Sequence, residues 1–118
     1  MDKIIPSTAK TPEINIDKIS GTVVIKGILI PENPYEYFNG INPFITEVYN
    51  CNNKLALNID LDYFNTGAAK YLYDLLKNFT GKPNVDVIWH YEEDDEDILE
   101  SGHEYETLTG LKFIYKIK

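Results

Sequence analysis

The chain has 118 residues, with eleven lysines, no arginine and nineteen acidic residues, so its formal charge is −8. It therefore lacks the basic surface that nucleic acids and anionic membranes require, and we expect neither as a partner. No stretch has the length and apolarity of a signal peptide or a membrane-spanning helix, and we expect a cytoplasmic protein whose residues 1–118 form a single domain.

The first elements in the sequence predict a β-hairpin. Residues 1–13 mix prolines and threonines and are expected to be irregular. The apolar segments 14–19 and 22–30 are separated by Ser20-Gly21, which is typical of a turn between two strands. Because the second segment is almost continuously apolar, it favours a strand that is buried on both faces.

A helix is expected next, beginning at Asn33, which can cap it, and Pro34, which suits a first helical turn. Gly40 and the pair Asn42-Pro43 interrupt the pattern, so we expect a helix that is broken into two parts. Residues 50–53 are expected to form a loop. The residues predicted to face the core are Phe44, Ile45, Val48 and Tyr49.

The second half of the chain alternates strands with a helix. Residues 55–61 predict a strand, and residues 65–79 show the three-four apolar spacing of an amphipathic helix. Residues 85–91 and 111–117 predict two more strands, separated by an acidic segment. The order β-β-α-β-α-β-acidic segment-β predicts one α/β domain with a mixed sheet and helices packed on it.

The negative charge is concentrated in that acidic segment. Between Glu92 and Glu106 there are nine carboxylates and no lysine, whereas the rest of the chain has ten acidic residues and eleven lysines. The run lacks the ligand spacing and central glycine of an EF-hand loop. We therefore expect a solvated charged face, with a protein contact as the alternative and a Ca²⁺ or Mg²⁺ site as a more distant one. The residues at its centre are Glu92, Glu93, Asp94, Asp95, Glu96 and Asp97.

The remaining polar side chains give little support for catalysis. His90 and His103 have no partner at metal-ligand spacing, so no metal site is expected from them. Cys51 is the single cysteine and lacks the surroundings of a reactive one. No serine lies in a nucleophile elbow, and no glycine-rich phosphate loop is present. We expect neither an enzyme nor a bound cofactor.

The aromatic side chains of the second half allow two interpretations. Trp89 and four tyrosines lie near predicted strand ends or on helix faces. They either pack in the core and at its rim or form part of a protein interface. The tyrosines concerned are Tyr63, Tyr71, Tyr73 and Tyr91.

The junction between the strand of residues 55–61 and the following helix is the most informative stretch. A helix start has unpaired backbone N–H groups and a partial positive charge, so it attracts a polar cap or an anion. Either Asn65 or Thr66 can be that cap. The functional interpretation is that Thr66 is phosphorylated, with the small residues Gly67, Ala68 and Ala69 leaving its hydroxyl accessible to a kinase.

Five motifs are distributed along nearly the whole chain: Thr8-x-x-Thr11-Pro12-x-Ile14, Gly27 with Pro31-Glu32-Asn33, Tyr63-Phe64-Asn65-Thr66 with Lys70, Trp89-His90-Tyr91-Glu92-Glu93-Asp94-Asp95-Glu96-Asp97, and Glu100-x-Gly102. The motifs that begin at Tyr63 and at Trp89 are fairly specific in combination. In this order and spacing, the motifs resemble those of the SiaC family of bacterial regulatory phosphoproteins.

This resemblance implies a fold similar to that of anti-sigma-factor antagonists, the STAS-like α/β domain. It also implies a partner switch, in which a GHKL-type kinase phosphorylates Thr66 and a PP2C-type phosphatase removes the phosphate. The unphosphorylated form would bind a target protein, in the family's best-understood setting a diguanylate cyclase of cyclic-di-GMP and biofilm signalling. The expected partner-binding residues are Tyr63, Phe64, Asn65, Gly67 and Lys70.

The chain departs from the family pattern at two places. Residues 28–30 are apolar where family members carry polar residues, and Gly67-Ala68-Ala69 replaces the usual serines after the threonine. Thr66 is retained, but these changes leave the identity of the target open. Two alternatives to the switch remain: a constitutive interaction domain in which Thr66 is only a helix cap, and a metal-dependent enzyme that uses residues 92–97.

Overall fold

The computed structural model describes residues 2–118, which form a six-stranded sheet and three helices. The elements in chain order are β1 Asp2–Ile5, β2 Glu13–Asp17, β3 Thr22–Leu29, α1 Pro34–Asn52, β4 Leu55–Phe64, α2 Thr66–Lys77, β5 Val85–Tyr91, α3 Glu96–Thr109 and β6 Lys112–Ile117. The predicted α/β domain with a mixed sheet is confirmed.

The order of the strands in the sheet is the order of the strands in the chain. β1, β2 and β3 pair antiparallel, whereas β3 to β6 pair parallel, with one helix in each of the three crossovers. Crossovers between parallel strands share one hand. Because all three step in the same direction across the sheet, the three helices lie on the same face of it.

This arrangement corrects the prediction that β3 is buried on both faces. Val23, Ile25 and Leu29 are buried beneath the helices, while Val24 is half-buried and Lys26 is exposed on the opposite face. β4 and β5 show the same alternation of buried and less buried residues. The sheet therefore has a helix-covered face and a second face, which we call the open face.

The start of the chain differs from the prediction of an irregular segment over residues 1–13. Residues 2–5 pair with β2 as an edge strand, with Ile5 opposite Ile14. Lys3 Nζ lies 4.6 Å from the centre of the Phe44 ring on α1. A four-residue edge strand depends on its pairing partner, so its own sequence carries little signal. The predicted hairpin through Ser20-Gly21 is confirmed, with Gly21 at φ 73°.

Helix α1 is continuous, so the prediction of a two-part helix is wrong. Asn33 caps it as predicted, accepting a hydrogen bond from Glu36 N at 3.1 Å. Pro43 is exposed and lies between Ile41 and Ile45, which are both buried on the same side of the helix. The free energy gained by burying Ile41 and Ile45 therefore outweighs the free energy lost with the one backbone hydrogen bond that Pro43 cannot donate.

The C-terminal end of α1 also corrects the sequence prediction. The expected loop over residues 50–53 is helical as far as Asn52. Asn53 then takes the left-handed conformation, with its N–H donating to Tyr49 O at 2.7 Å. Asparagine tolerates that conformation better than most residues, which explains why the helix ends here.

Helix α3 was not expected from the sequence. It begins at Glu96, within the acidic segment, and buries a narrow stripe of residues, which are Ile98, Gly102, Tyr105 and Thr109. Gly102 lies directly against Trp89, so close that an added Cβ would be 2.7 Å from the indole Cδ1 and Nε1 atoms. A stripe that includes a glycine and a threonine, surrounded by carboxylates, hides the apolar periodicity of a helix.

Trp89 belongs to the core and not to an interface. It is 1% exposed, and its Nε1 donates to Ile98 O at 2.8 Å. Tyr71, Tyr73 and Tyr91 are half-buried around the core, as the packing interpretation predicts. Tyr63 differs from them, because 56% of its surface is exposed.

Candidate functional site

The carboxyl ends of the four parallel strands meet at one edge of the sheet, which we call the carboxyl edge. Helices α1, α2 and α3 all begin there, because each follows a parallel strand directly. In open α/β sheets this edge is the usual place for functional residues. It contains Thr66, after β4, and the acidic segment (residues 92–97), after the neighbouring strand β5.

A β-bulge in β4 determines which side chains reach the surface near Thr66. Gly27 of β3 pairs with Leu61, but the next residue, Ile28, pairs with Tyr63, so Asp62 is an extra residue in β4. A bulge reverses the alternation of side chains beyond it. Tyr63 consequently lies on the open face beside Ile28, which is 39% exposed.

The bulge turns Phe64, the next residue, towards the core. The Phe64 ring is half-buried, with its centre 6.4 Å from the ring centres of both Trp89 and Tyr105. Phe64 was expected to contact a partner, but the structure places it beneath the start of α2. Its contacts suit a role in positioning the residues that follow.

Asn65 is the cap of helix α2. Its Oδ1 accepts a hydrogen bond from Ala68 N at 2.9 Å, and its own backbone is extended. Thr66 is the first helical residue and is exposed. The structure thus resolves the choice that the sequence left open: Asn65 has the capping role, and the Thr66 side chain is not needed for it.

This assignment predicts different costs for two alanine substitutions. Asn65→Ala should lower the free energy of unfolding by about 1 kcal/mol, because it removes the acceptor for Ala68 N. Thr66→Ala should change it by less than about 0.5 kcal/mol, because exposed positions away from caps tolerate substitution. Urea denaturation of both variants checks the prediction. Equal losses would show that Thr66 shares the capping role.

The surroundings of Thr66 suit an added anion. The first N–H groups of a helix have no partners within the helix, and the helix dipole is positive at this end. Gly67 is exposed, and a Cβ there would have only Asn65 Oδ1 and Pro34 Cγ near it, at 3.6 and 3.9 Å. Lys70, one turn later, is exposed, with its Nζ 5.6 Å from the Tyr71 ring centre.

The acidic segment is a charged surface with a local structural role. All of its residues are exposed except Asp95, which is half-buried and caps α3 by accepting a hydrogen bond from Ile98 N at 3.1 Å. Glu96 and Asp97 lie in the first turn, where negative charge interacts favourably with the helix dipole. Among residues 2–118 no group of three or more His, Cys, Asp or Glu side chains is arranged to hold a metal ion.

The two histidines lie apart and each has a local partner. His90 is on the open face, with its Nε2 3.2 Å from Asn58 Oδ1, and burial lowers its pKa below the ordinary value. The His103 ring packs on Tyr115 at 4.5 Å. Cys51 is exposed at the end of α1, away from both histidines in the fold.

A contact near the bulge was not foreseen from the sequence. Lys118 Nζ lies 2.8 Å from Asp60 Oδ1 and 3.0 Å from Asp62 Oδ1. Partial burial acts to lower the pKa of Lys118, but the hydrogen bonds to the two aspartates raise it above its usual value. The end of the chain is thereby attached to the strand that leads to Thr66. Such a contact over 56 residues leaves no pattern in the sequence.

A cleft of about 1100 Å³ opens at the opposite edge of the sheet. Its lining includes Lys54, Lys82 and Lys112, which follow the C-terminal ends of α1, α2 and α3. Lysines at these places offset the partial negative charge of helix C-termini. We therefore assign these lysines a role in the fold and place the candidate site at the carboxyl edge.

Comparison with known proteins gives consistent matches over the whole domain. The model of the SiaC family of regulatory phosphoproteins matches residues 5–117. An uncharacterized protein of Pseudomonas aeruginosa (strain UCBPP-PA14) is 31% identical over 110 residues, which cover 88% of this chain and 86% of the relative. None of the helices within residues 2–118 has the length and apolarity to cross a membrane.

The solved structures that match this chain also cover almost its whole length. A chain in the crystal structure of the diguanylate cyclase SiaD in complex with its activator SiaC, from Pseudomonas aeruginosa, has a TM-score of 0.87 and 28% identity, covering 99% of this chain and 100% of that one. SiaC of Pseudomonas aeruginosa has a TM-score of 0.84 and 26% identity, covering 100% and 99%. The likeness to anti-sigma-factor antagonists stays a prediction.

Proposed function

The chain belongs to the SiaC family of regulatory phosphoproteins, and from this premise we propose that it is a non-enzymatic signalling protein, switched by reversible phosphorylation of Thr66. The observation that carries the proposal is the division of roles at the start of α2. Asn65 caps the helix, which leaves the exposed Thr66 hydroxyl available for modification. The constitutive alternative explained Thr66 as a cap, and that explanation now applies to Asn65.

The unphosphorylated protein binds a target through the surface around Thr66. This surface comprises Tyr63, Gly67 and Lys70, all exposed, with Asn65 and Phe64 supporting it from below. The related SiaC is an activator of a diguanylate cyclase, and a cyclase is accordingly the first target to test. The resemblance of the sequence to the family suggests a GHKL-type kinase, a PP2C-type phosphatase and a cytoplasmic location.

Phosphorylation would switch binding through charge and solvation. A phosphate on Thr66 adds up to two negative charges to a surface in which Lys70 is the charged member. A target that bound there would have to remove water from the phosphate. The free energy of this desolvation would exceed the free energy gained from the contacts, so the target would dissociate. The phosphate itself would be stabilised by the N–H groups and the dipole of α2, since the chain has no arginine to hold it.

The acidic segment gives the proposed kinase and phosphatase a docking surface. It lies at the same edge as Thr66, one strand away, and its carboxylates are mostly exposed. Enzymes that act on Thr66 would approach a negative surface, so we infer that their contact regions carry lysine or arginine. Complementary charge of this kind accelerates association and makes it sensitive to salt.

The test is phosphorylation by the cognate kinase with ATP, followed by mass spectrometry. The wild-type protein should gain one phosphate on Thr66, Thr66→Ser should retain labelling, and Thr66→Ala should lose it completely. Label on another residue, or undiminished label in Thr66→Ala, would contradict the assignment.

The second step compares target binding by the two forms. Isothermal titration of the candidate cyclase with unphosphorylated and phosphorylated protein should show a loss of affinity of roughly a hundredfold or more on phosphorylation. Thr66→Ala should bind as the unphosphorylated form does, and kinase treatment should not change its affinity. Equal affinities of the two forms would favour a constitutive interaction domain.

A further inference from the structure

The open face of the sheet is unusual for parallel strands. Parallel sheets are almost always covered on both faces, because their crossovers place helices on each. Here the three helices cover one face, and no element within residues 2–118 covers the other. Its centre contains the half-buried apolar side chains of Val24, Ile88 and Ile114, with the half-buried Asn58 of β4 between them.

The register of the strands arranges the open face in rows that run across the sheet. The central row is Asn15, Val24, Asn58, Ile88 and Ile114, from β2 to β6. Nearer the carboxyl edge, Glu13, Lys26 and Asp60 are paired across β2, β3 and β4, and His90 and Lys116 are paired across β5 and β6. The register of β4 with β5, continued by one residue, aligns these two sets in one row. In that row the first residue, on β2, is acidic, and the last, on β6, is basic. Both are exposed.

We propose that two copies of this chain pack their open faces together about a two-fold axis parallel to β4. The axis lies midway between the two sheets, so it sets β2 against β6, β3 against β5, and β4 against the β4 of the other copy. It therefore places Glu13 of each copy against Lys116 of the other. In the central row it places Val24 against Ile88. Sheets that pack face to face keep their strand directions nearly aligned, which this axis preserves.

The charges of the open face favour a second copy of this chain as the binding partner. Six of the nineteen acidic residues lie in the acidic segment at the carboxyl edge, which has no lysine. Across β2–β6 the open face has nearly balanced charges: Glu13, Asp17, Asp60, Asp62 and Asp86 against Lys26, Lys112, Lys116 and Lys118. Asp60 would approach its own copy at the axis, but it is already paired with Lys118 at 2.8 Å.

The size of the face indicates a reversible dimer. Between β2 and β6, and between the rows of Glu13 and Asp17, the backbone spans roughly 20 by 13 Å, from strand spacings of about 4.8 Å and rises of about 3.3 Å. This footprint is well below the roughly 800 Å² per partner of standard protein interfaces, so the dimer should be weak and should dissociate on dilution. The proposal does not rest on phosphorylation of Thr66, but Tyr63, on β4 at the end of the same face, belongs also to the surface proposed to bind the target.

The test is sedimentation velocity over a wide range of protein concentration. Wild-type protein should shift from monomer to dimer as its concentration rises. Lys116→Glu and Glu13→Lys should each weaken the dimer by roughly tenfold or more, because each places like charges in contact twice. Lys82→Glu, which makes the same charge change in the exposed α2–β5 loop, should not weaken it.

Combining the two substitutions in one chain, or mixing the two single variants, makes the test specific for this geometry. The double variant Glu13→Lys/Lys116→Glu should dimerise again, and an equimolar mixture of the two single variants should form a one-to-one heterodimer, since both contacts are then attractive. Circular dichroism confirms that each variant is folded. A wild-type protein that is monomeric at every concentration, or a dimer that neither reversal affects, would overturn the proposal.

Discussion

Gly102→Ala is expected to lower the free energy of unfolding by about 2–3 kcal/mol, from overpacking and a disturbed buried hydrogen bond. The added methyl group would lie 2.7 Å from two atoms of the Trp89 indole, which is enclosed by the core and cannot move freely. Moving the ring also strains the bond from its Nε1 to Ile98 O. The gain in helix propensity, about 1 kcal/mol, offsets only part of this loss.

The control for this substitution is Gly40→Ala in helix α1. No atom lies within 4 Å of the Cβ that would be added at Gly40, which is exposed. The same change should therefore raise stability by about 0.5–1 kcal/mol. Urea denaturation followed by Trp89 fluorescence measures both variants. If both substitutions stabilised the protein, α3 would have to lie farther from the sheet than the structure shows.

Phe64→Ala is expected to lower the free energy of unfolding by about 2–3 kcal/mol, because it removes a half-buried ring from the core. The Phe64 ring packs on Trp89 and Tyr105, with 6.4 Å between its centre and each of theirs. Phe64 and not Tyr63 faces the core because Asp62 is an extra residue in β4.

The control is Tyr63→Ala, the neighbouring substitution on the opposite face of β4. Tyr63 is 56% exposed, so its loss should cost less than about 1 kcal/mol. Chemical denaturation of the two variants provides the comparison. A Tyr63→Ala variant that loses as much stability as Phe64→Ala would mean that the bulge does not place Tyr63 on the open face and Phe64 in the core.

The parts of the fold that were predictable are those with strong local signals. The hairpin at Ser20-Gly21, the Asn33 cap, the strand β5 and the helix α2 each combine regular apolar spacing with a recognised turn or cap. In these segments local preference and tertiary packing agree, so the sequence alone was sufficient.

The errors occurred where tertiary packing outweighs local preference. Pro43 predicted a break, but buried residues on either side keep α1 continuous. Helix α3 was missed because its contact with the core depends on the absence of a side chain at Gly102, which becomes meaningful only once Trp89 lies opposite. The one-residue bulge at Asp62 is likewise determined by pairing with β3 and not by its own sequence.

The candidate site was predictable in part for the same reasons. Thr66 lies at a helix start, as the sequence indicated, and its exposure agrees with the expectation. The division of roles between Asn65 and Thr66 depends on side-chain geometry that the residue types alone leave open. The shared edge of Thr66 and the acidic segment follows from the sheet order, which places β4 beside β5.

Because the strands have the same order in the chain and in the sheet, the protein can fold while it is being translated. Each strand pairs with the strand made just before it, so no strand has to be inserted between two that are already joined. As the chain leaves the ribosome, every new β-α unit can add to the exposed edge of a sheet that is already formed. Folding can thus keep pace with translation, and Thr66 would take its place before the acidic segment has been made.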